Sequence, residues 1–264
     1  CYVIDHKAEI SFKTRMHLLS SCIPNVVVVN SSLDIYNDGV NMNRAHLQCL
    51  RALLPFSWNY ALLLQNHDVH LKNQSQLAIS LRGLNGANDM ESVPCPPDRC
   101  LPSLPHTLAS LGLCPKSLKG EAAGACSTKN ITWLKGGVQV SLTRAAVDYA
   151  FNELDLTGVL HEMHKVGYGE DEMLWQTLNG NGLIGLPGGR EGELRKHITK
   201  LSVWPQGNEE CRALQKESYC VFGIEEVENI LATEYLVATK MLPSFDYFAV
   251  QCLGEALSRR CEAT

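Results

Sequence analysis

Three consecutive carboxylates, Glu170, Asp171 and Glu172, follow Gly167 and Gly169 and precede the apolar residues Met173, Leu174, Trp175 and Leu178. The apolar spacing predicts a short helix with the acids at its start. Three chemistries are open to such a cluster. Asp171 or Glu170 can cap the helix, with Glu172 a solvated first-turn residue, because carboxylates are favoured beside unpaired N–H groups. A metal site is the second, although consecutive helical residues point in different directions and at most one faces a given ion. The third is a general base: a helix N-terminus holds a carboxylate ionised, and beside flexible glycines it can take a proton from a substrate hydroxyl.

Other candidate chemistry is sparser. His161 and His164 stand three apart on a predicted helix, without an H-E-x-x-H motif, and read as ordinary histidines. No G-x-S-x-G elbow is present, so nucleophilic catalysis has no obvious centre. The glycines of "NGNGLIGLPGGREGE" (179–193) follow neither G-x-G-x-x-G nor the P-loop pattern. The 11 cysteines are spread along the chain without two C-x-x-C pairs, which disfavours structural zinc and fits disulfides in an oxidising compartment. Sequons at Asn30, Asn73 and Asn130 agree with the secretory pathway.

These residues must be positioned by an α/β framework. "CYVID" and "NVVVVN" read as strands, with a helix expected over Ser11 to Ser21 between them. Leu47, Leu50 and Leu54 repeat at helical spacing, "WNYALLLQ" reads as a strand, and Gln74 to Leu84 as a helix. Such alternation implies a mainly parallel central sheet, whose ligands bind on loops after the strands. "DHK" after the first strand and "NSSLDIYNDG" after the second lie there, a pointer to a nucleotide or sugar-nucleotide pocket. Residues 92–129 are proline-rich, hold Cys95, Cys100, Cys114 and Cys126, and are expected to be a long, disulfide-stapled excursion. "GGVQVSLTRAAVDYAF" reads as a strand running into a helix, and "IEEVENILATEYLVATK" as helical with Glu225 and Glu226 in its first turn.

The bulk numbers exclude some classes. A net charge of −5 gives no reason to expect nucleic acid, and no apolar run approaches the roughly 20 residues that span a bilayer. With 264 residues the chain suits one large domain or two small ones, and no boundary is placed within it. It opens inside a predicted strand, so a trimmed chain is expected, with any anchor upstream.

The motifs "CYVIDHKAEISF", "NVVVVN", "AHLQCL", "WNYALLLQNHDVHLK", "GANDME", "KGGVQVSLTRAAVDY", "DEMLWQTL", "YCVFGIEEVENIL", "ATK" and "FDYFAVQCLGEAL" together resemble the core-2/I-branching β-1,6-N-acetylglucosaminyltransferases (glycosyltransferase family 14), in a divergent, nematode-like branch. The resemblance covers nearly the whole chain and implies a single glycosyltransferase catalytic domain over 1–264. It implies a GT-A type Rossmann-like fold, residence in the Golgi lumen behind an N-terminal type II anchor, and no cofactor. It also implies inverting, metal-independent transfer of GlcNAc from UDP-GlcNAc to a sugar 6-hydroxyl of a glycan or glycoprotein acceptor.

Residue by residue, the family's D-E-x-L-W motif matches Asp171 to Trp175, which makes Glu172 the implied general base and Asp171 its support. The resemblance gives the nucleotide-contacting role to Asp5, His6 and Lys7, with Tyr36 lining the same pocket. Glu91 matches a glutamate that binds sugar hydroxyls, and Arg99 and Trp204 match acceptor-side residues. Lys240, in "ATK", matches a lysine that neutralises the departing diphosphate. The arginine that accompanies it in the family is replaced by Glu217, beside Lys216. Either Lys216 substitutes after a small backbone shift or catalysis is impaired. The same frame pairs Cys1 with Cys49 and Cys211 with Cys220, gives Cys22 a partner upstream, and lacks the family's first strand and helix. A family-14 xylosyltransferase and a non-catalytic glycan-binding descendant are the alternatives.

Overall fold

The computed structural model describes residues 1–97, 99, 106–191, 196–205 and 211–262, the last three by backbone alone. In chain order the elements are β1 (Tyr2–Ile4), α1 (Ile10–Cys22), β2 (Val28–Asn30), α2 (Met42–Leu53), β3 (Tyr60–Leu63), β4 (Val69–His70), α3 (Gln74–Gly83) and β5 (Val93–Pro94). They continue with α4 (Gly120–Thr128), β6 (Leu134–Lys135), β7 (Val140–Thr143), α5 (Arg144–Asn152), α6 (Thr157–His164) and α7 (Leu174–Gly180). The last are β8 (Lys200–Leu201), β9 (Leu214–Lys216), β10 (Tyr219–Val221), α8 (Val227–Ala232), β11 (Val237–Ala238) and α9 (Tyr247–Glu262).

The chain forms two compact units: Cys1–Ala61 with Glu91–Val138 and Leu142–Arg195, and Leu62–Met90 with Gln139–Ser141 and Lys196–Thr264. In the first, β1 and β2 pair in parallel across α1, with Tyr2 opposite Val28 and Ile4 opposite Asn30. Helix α2 packs against both strands, and Ala45, Cys49 and Leu50 form its buried stripe. The Cys1–Cys49 disulfide joins the start of β1 to this helix. Strands β5 and β6 pair antiparallel, Val93 opposite Lys135. Helix α7 lies against β6 and α6. It is buried all round, with Leu174, Trp175, Gln176, Thr177 and Leu178 inside. Two of its buried side chains bond the β6 segment: Gln176 Nε2 donates to Gly137 O at 2.7 Å, and Thr177 Oγ1 donates to Leu134 O at 3.1 Å, while Gln176 Oε1 and Trp175 Nε1 are buried without a hydrogen bond.

In the second unit, β11 runs antiparallel to β4 and parallel to β8. Its core gathers Leu71, Phe222, Val227, Ile230, Leu231, Met241, Ala249 and Leu253. At ~1.5–3 kcal/mol for each large apolar side chain buried, this cluster is a main stabilising term of the unit. Strands β9 and β10 form a hairpin with Lys216 opposite Tyr219, so its turn is Glu217 and Ser218.

The mixed α/β class stands, but among the described residues no mainly parallel central sheet is seen. The described strands are two to four residues long and form separate small ladders of both senses. The alternation that predicted parallel pairing holds for β1–α1–β2. Elsewhere a two-residue turn makes β9 and β10 antiparallel, as a short connection must. The 92–129 excursion holds helix α4, closed by a Cys114–Cys126 disulfide; Cys100 lies outside the described residues. The segment read as one helix from Ile224 ends at Ala232, and Val237–Ala238 is strand instead. The expected Cys211–Cys220 bridge is present, and Cys22 is free and exposed.

Among the sequons, Asn30 and Asn130 are exposed, but Asn73 is not available to carry a glycan. It is buried, its Nδ2 included, because it caps α3: its side chain accepts from Gln76 N at 2.9 Å, and Gln76 Oε1 accepts from Asn73 N at 3.2 Å.

Candidate active site

The acidic trio forms a single 3-10 turn, Glu170–Glu172, entered through Gly169 in the left-handed region (φ +63°). None of the three caps its own turn or α7 by its side chain, and Met173 occupies the N-cap of α7. The capping alternative is therefore set aside, and the three carboxylates diverge as consecutive residues must.

Glu170 turns inward. Its Oε1 accepts from Asn41 N at 2.5 Å, at the N-terminus of α2, and Asn43 Nδ2 donates to its carbonyl at 2.6 Å. His164 Nδ1 lies 3.3 Å from Glu170 Oε2, although that oxygen accepts no hydrogen bond. Asp171 is also buried, its carboxylate against Gly39, where any Cβ would come within 2.1 Å of Oδ1. Burial first, and the charge of Glu172 second, push the Asp171 carboxyl up to about 7.

Glu172 points elsewhere and is partly exposed, 28% for its side chain. Its Oε2 accepts from Arg99 Nη2 at 3.0 Å and from Lys135 Nζ at 3.1 Å. The Arg99 guanidinium also lies over the Tyr168 ring, 4.4 Å from its centroid. A side chain at position 169 would strike Arg99 Nη2 at 2.1 Å, so glycine there serves both the backbone turn and the ion pair. Gly136 N donates to Glu172 O at 2.9 Å. Glu91 reaches the same neighbourhood through its backbone: its carbonyl lies where a Cβ of residue 136 would sit, at 1.9 Å.

The loops after β1 and β2 bring Asp5, His6, Lys7 and Tyr36 together. The Asp5 carboxylate accepts from Lys7 N at 2.6 Å and from Ile35 N at 3.2 Å. Lys7 Nζ donates to Ile35 O at 3.2 Å and stands 3.8 Å above the Tyr36 ring. His6 Nδ1 is 3.3 Å from Asp34 Oδ1. All four lie at the carboxyl ends of parallel strands, where α/β sheets take ligands.

In the second unit Tyr219 is the organising residue. Lys240 Nζ stands 4.9 Å over its ring, and Trp204 meets it edge-on at 5.9 Å between centroids. Lys216, directly opposite Tyr219 in the hairpin, projects from the same face. Glu217 holds the left-handed position of the turn (φ +57°), and its charge adds to burial in raising the Tyr219 hydroxyl. Behind Lys240, Asp68 accepts from Thr239 Oγ1 at 2.7 Å and from Gln139 Nε2 at 2.8 Å. Burial raises the Asp68 carboxyl, and the charge of Lys240 opposes that rise.

Lys135 and Tyr219 escaped the sequence reading. Lys135 is 37 residues from Glu172; it opens the quoted "KGGVQVSLTRAAVDY", but no role was attached to it there. Tyr219 sits in the quoted "YCVFG", and alternation along β10 was the available sign that it faces away from Cys220. No group of three His, Cys, Asp or Glu side chains among the described residues is placed to hold a metal ion.

The sequence profile of the Core-2/I-Branching enzyme matches residues 1–231. The chain is 26% identical to "Beta-1,3-galactosyl-O-glycosyl-glycoprotein beta-1,6-N-acetylglucosaminyltransferase 3" of Rattus norvegicus, over 98% of this chain and 62% of the relative. It is 26% identical to the protein of that name numbered 4 in Mus musculus, over 98% and 60%. It is 24% identical to the unnumbered protein of Bovine herpesvirus 4 (strain LVR140), over 98% and 61%. The chain thus spans about three fifths of the length of the curated relatives it matches. With the profile covering most of its length, this chain belongs to the core-2/I-branching enzyme family.

Proposed function

We propose that the chain is catalytic, moving GlcNAc from UDP-GlcNAc to a 6-hydroxyl of a glycan or glycoprotein acceptor, with inversion and without a metal. The observation that carries this reading is Glu172, an ion-paired and partly exposed carboxylate in a chain of this family. In a single displacement, Glu172 takes the acceptor hydroxyl proton as that oxygen bonds to the anomeric carbon. The bond from that carbon to the β-phosphate oxygen breaks, and UDP leaves with the electron pair. Positioned base catalysis contributes ~10²–10⁴-fold.

Lys240, with Lys216 on the same face of Tyr219, stabilises the charge growing on the diphosphate, a role worth roughly 3 kcal/mol for one well-placed donor. Asp5, His6, Lys7 and Tyr36 hold the nucleotide, and Glu91, Arg99 and Trp204 serve the sugars. The fold that carries these roles is of GT-A type. Disulfides support an oxidising compartment and hence the Golgi lumen. No helix among the described residues is long and apolar enough to cross a membrane, so the type II anchor is proposed from the family resemblance alone.

The test is transfer from UDP-GlcNAc to O-glycan and poly-lactosamine acceptors with EDTA throughout, and UDP-xylose in parallel. Glu172→Gln is expected to abolish transfer while UDP still binds, as read by calorimetry. Loss of UDP binding along with transfer would remove the base assignment. Glu217, an acid beside Tyr219, favours a non-catalytic glycan-binding reading, and absence of turnover with either donor from a folded chain would select it.

A further inference from the structure

Glu172 presents its two oxygens unequally. Arg99 and Lys135 both bind Oε2, and among the described residues Oε1 accepts no hydrogen bond. Lys135 is held more firmly than a surface lysine. It ends β6, where Leu134 N and O both bond to Thr177 Oγ1, at 3.2 and 3.1 Å. The following residues bond Glu172 O through Gly136 N, and Gln176 Nε2 through Gly137 O. Backbone and side chain of one short segment therefore grip both ends of Glu172, and the Lys135 side chain is only 23% exposed.

The charged surroundings of Glu172 oppose one another. Lys135 comes from β6, and Arg99, stacked on Tyr168, from the loop after β5. Asp171 and Glu170 share its own turn, His164 faces Glu170 from α6, and Asp38, before α2, adds a further negative charge at Asp171.

We propose that Lys135 is a positioning residue for proton transfer at Glu172: it fixes Oε2 and leaves Oε1 to meet the acceptor hydroxyl. The proposal rests on Glu172 being the base. Arg99 alone cannot do this work equally, because its guanidinium is also engaged by the Tyr168 ring.

The experiment is a comparison of kcat and KM for UDP-GlcNAc transfer by the wild-type chain, Lys135→Met, Lys135→Arg and Glu172→Gln. Lys135→Met, which frees Oε2 and so misorients Oε1, is expected to lower kcat about tenfold with KM for UDP-GlcNAc within about threefold of wild type. Lys135→Arg, which restores a cationic donor, is expected to recover most of that kcat. A raised KM with kcat unchanged, or a loss of kcat that Lys135→Arg does not recover, would assign Lys135 a merely structural role and overturn the proposal. Where thermal melting shows that Lys135→Met does not fold, Lys135→Gln keeps a donor without the charge and is expected to lose kcat in part. Glu172→Gln separates the two readings: retained turnover sinks the base assignment itself. Abolished turnover there with an undiminished kcat in Lys135→Met sinks only the role of Lys135.

Discussion

At the scale of single residues, the acidic turn divides its labour by burial. Glu170 is spent on structure, Asp171 is held in a dry niche against Gly39, and Glu172 faces its two cations. Asp171 has a measurable consequence. Its folded carboxyl titrates near 7 against an ordinary 3.8, chiefly through burial. The folded state therefore binds this proton more tightly than the unfolded state does. Stability is highest with the proton on, below about pH 4, and is lost as the pH rises through 7. A shift of that size corresponds to as much as about 4 kcal/mol. Asp171→Asn is expected to be more stable than wild type at about pH 8 and nearly equal to it at about pH 4. Urea unfolding at both values measures this, and a difference independent of pH would contradict it.

Among elements, the β9–β10 hairpin is where sequence and geometry meet most directly. Its turn places Glu217 at φ +57°, a region that costs a residue with a Cβ roughly 1–2 kcal/mol and that Asn tolerates better. Glu217→Asn is expected to stabilise the chain by about 0.5–1 kcal/mol and to tighten UDP binding, because it removes an acid from the turn next to Lys216. Thermal melting reads the first effect and calorimetry the second; weaker UDP binding would show that the acid is not adverse.

Legibility from sequence follows the range of the interaction. The βαβ opening, α2, α3 and the strand into α5 were readable because period and propensity act over a few residues. Helix α4 was hidden by Gly120, Gly124 and nearby proline-rich chain, and it is closed by a disulfide 12 residues apart that no local pattern specifies. Leu236 to Ala238 looked like the continuation of a helix, but the backbone pairs with β4 and β8. Among the candidate residues, Lys240 and the choice of Glu172 within the acidic trio came from the resemblance, whereas the loops that hold Asp5 and Tyr36 were also marked by their place after two predicted strands. Lys135 and Tyr219 act through contacts across 37 and 21 residues that spacing cannot encode.

For the molecule as a whole, covalent ties stand beside short strands. The described bridges close separations of 48, 12 and 9 residues. Each is typically worth ~2–4 kcal/mol, mainly by restricting the unfolded chain. Full reduction is expected to lower the melting temperature by at least about 10 °C. Calorimetric scans with and without a phosphine reductant test this, with thiol titration to confirm reduction. An unchanged transition in the reduced chain would show that packing alone suffices.

The Cys1–Cys49 bridge also fixes how the molecule bears tension. A pull applied at residue 1 does not peel β1 from β2 rung by rung, because the load passes at once through the Cys49 sulfur into α2. The three-residue parallel ladder is thus shielded from traction applied at residue 1. The force is shared instead by a helix that packs on both strands, so the Asp5–Lys7 loop keeps its shape while the chain is tugged.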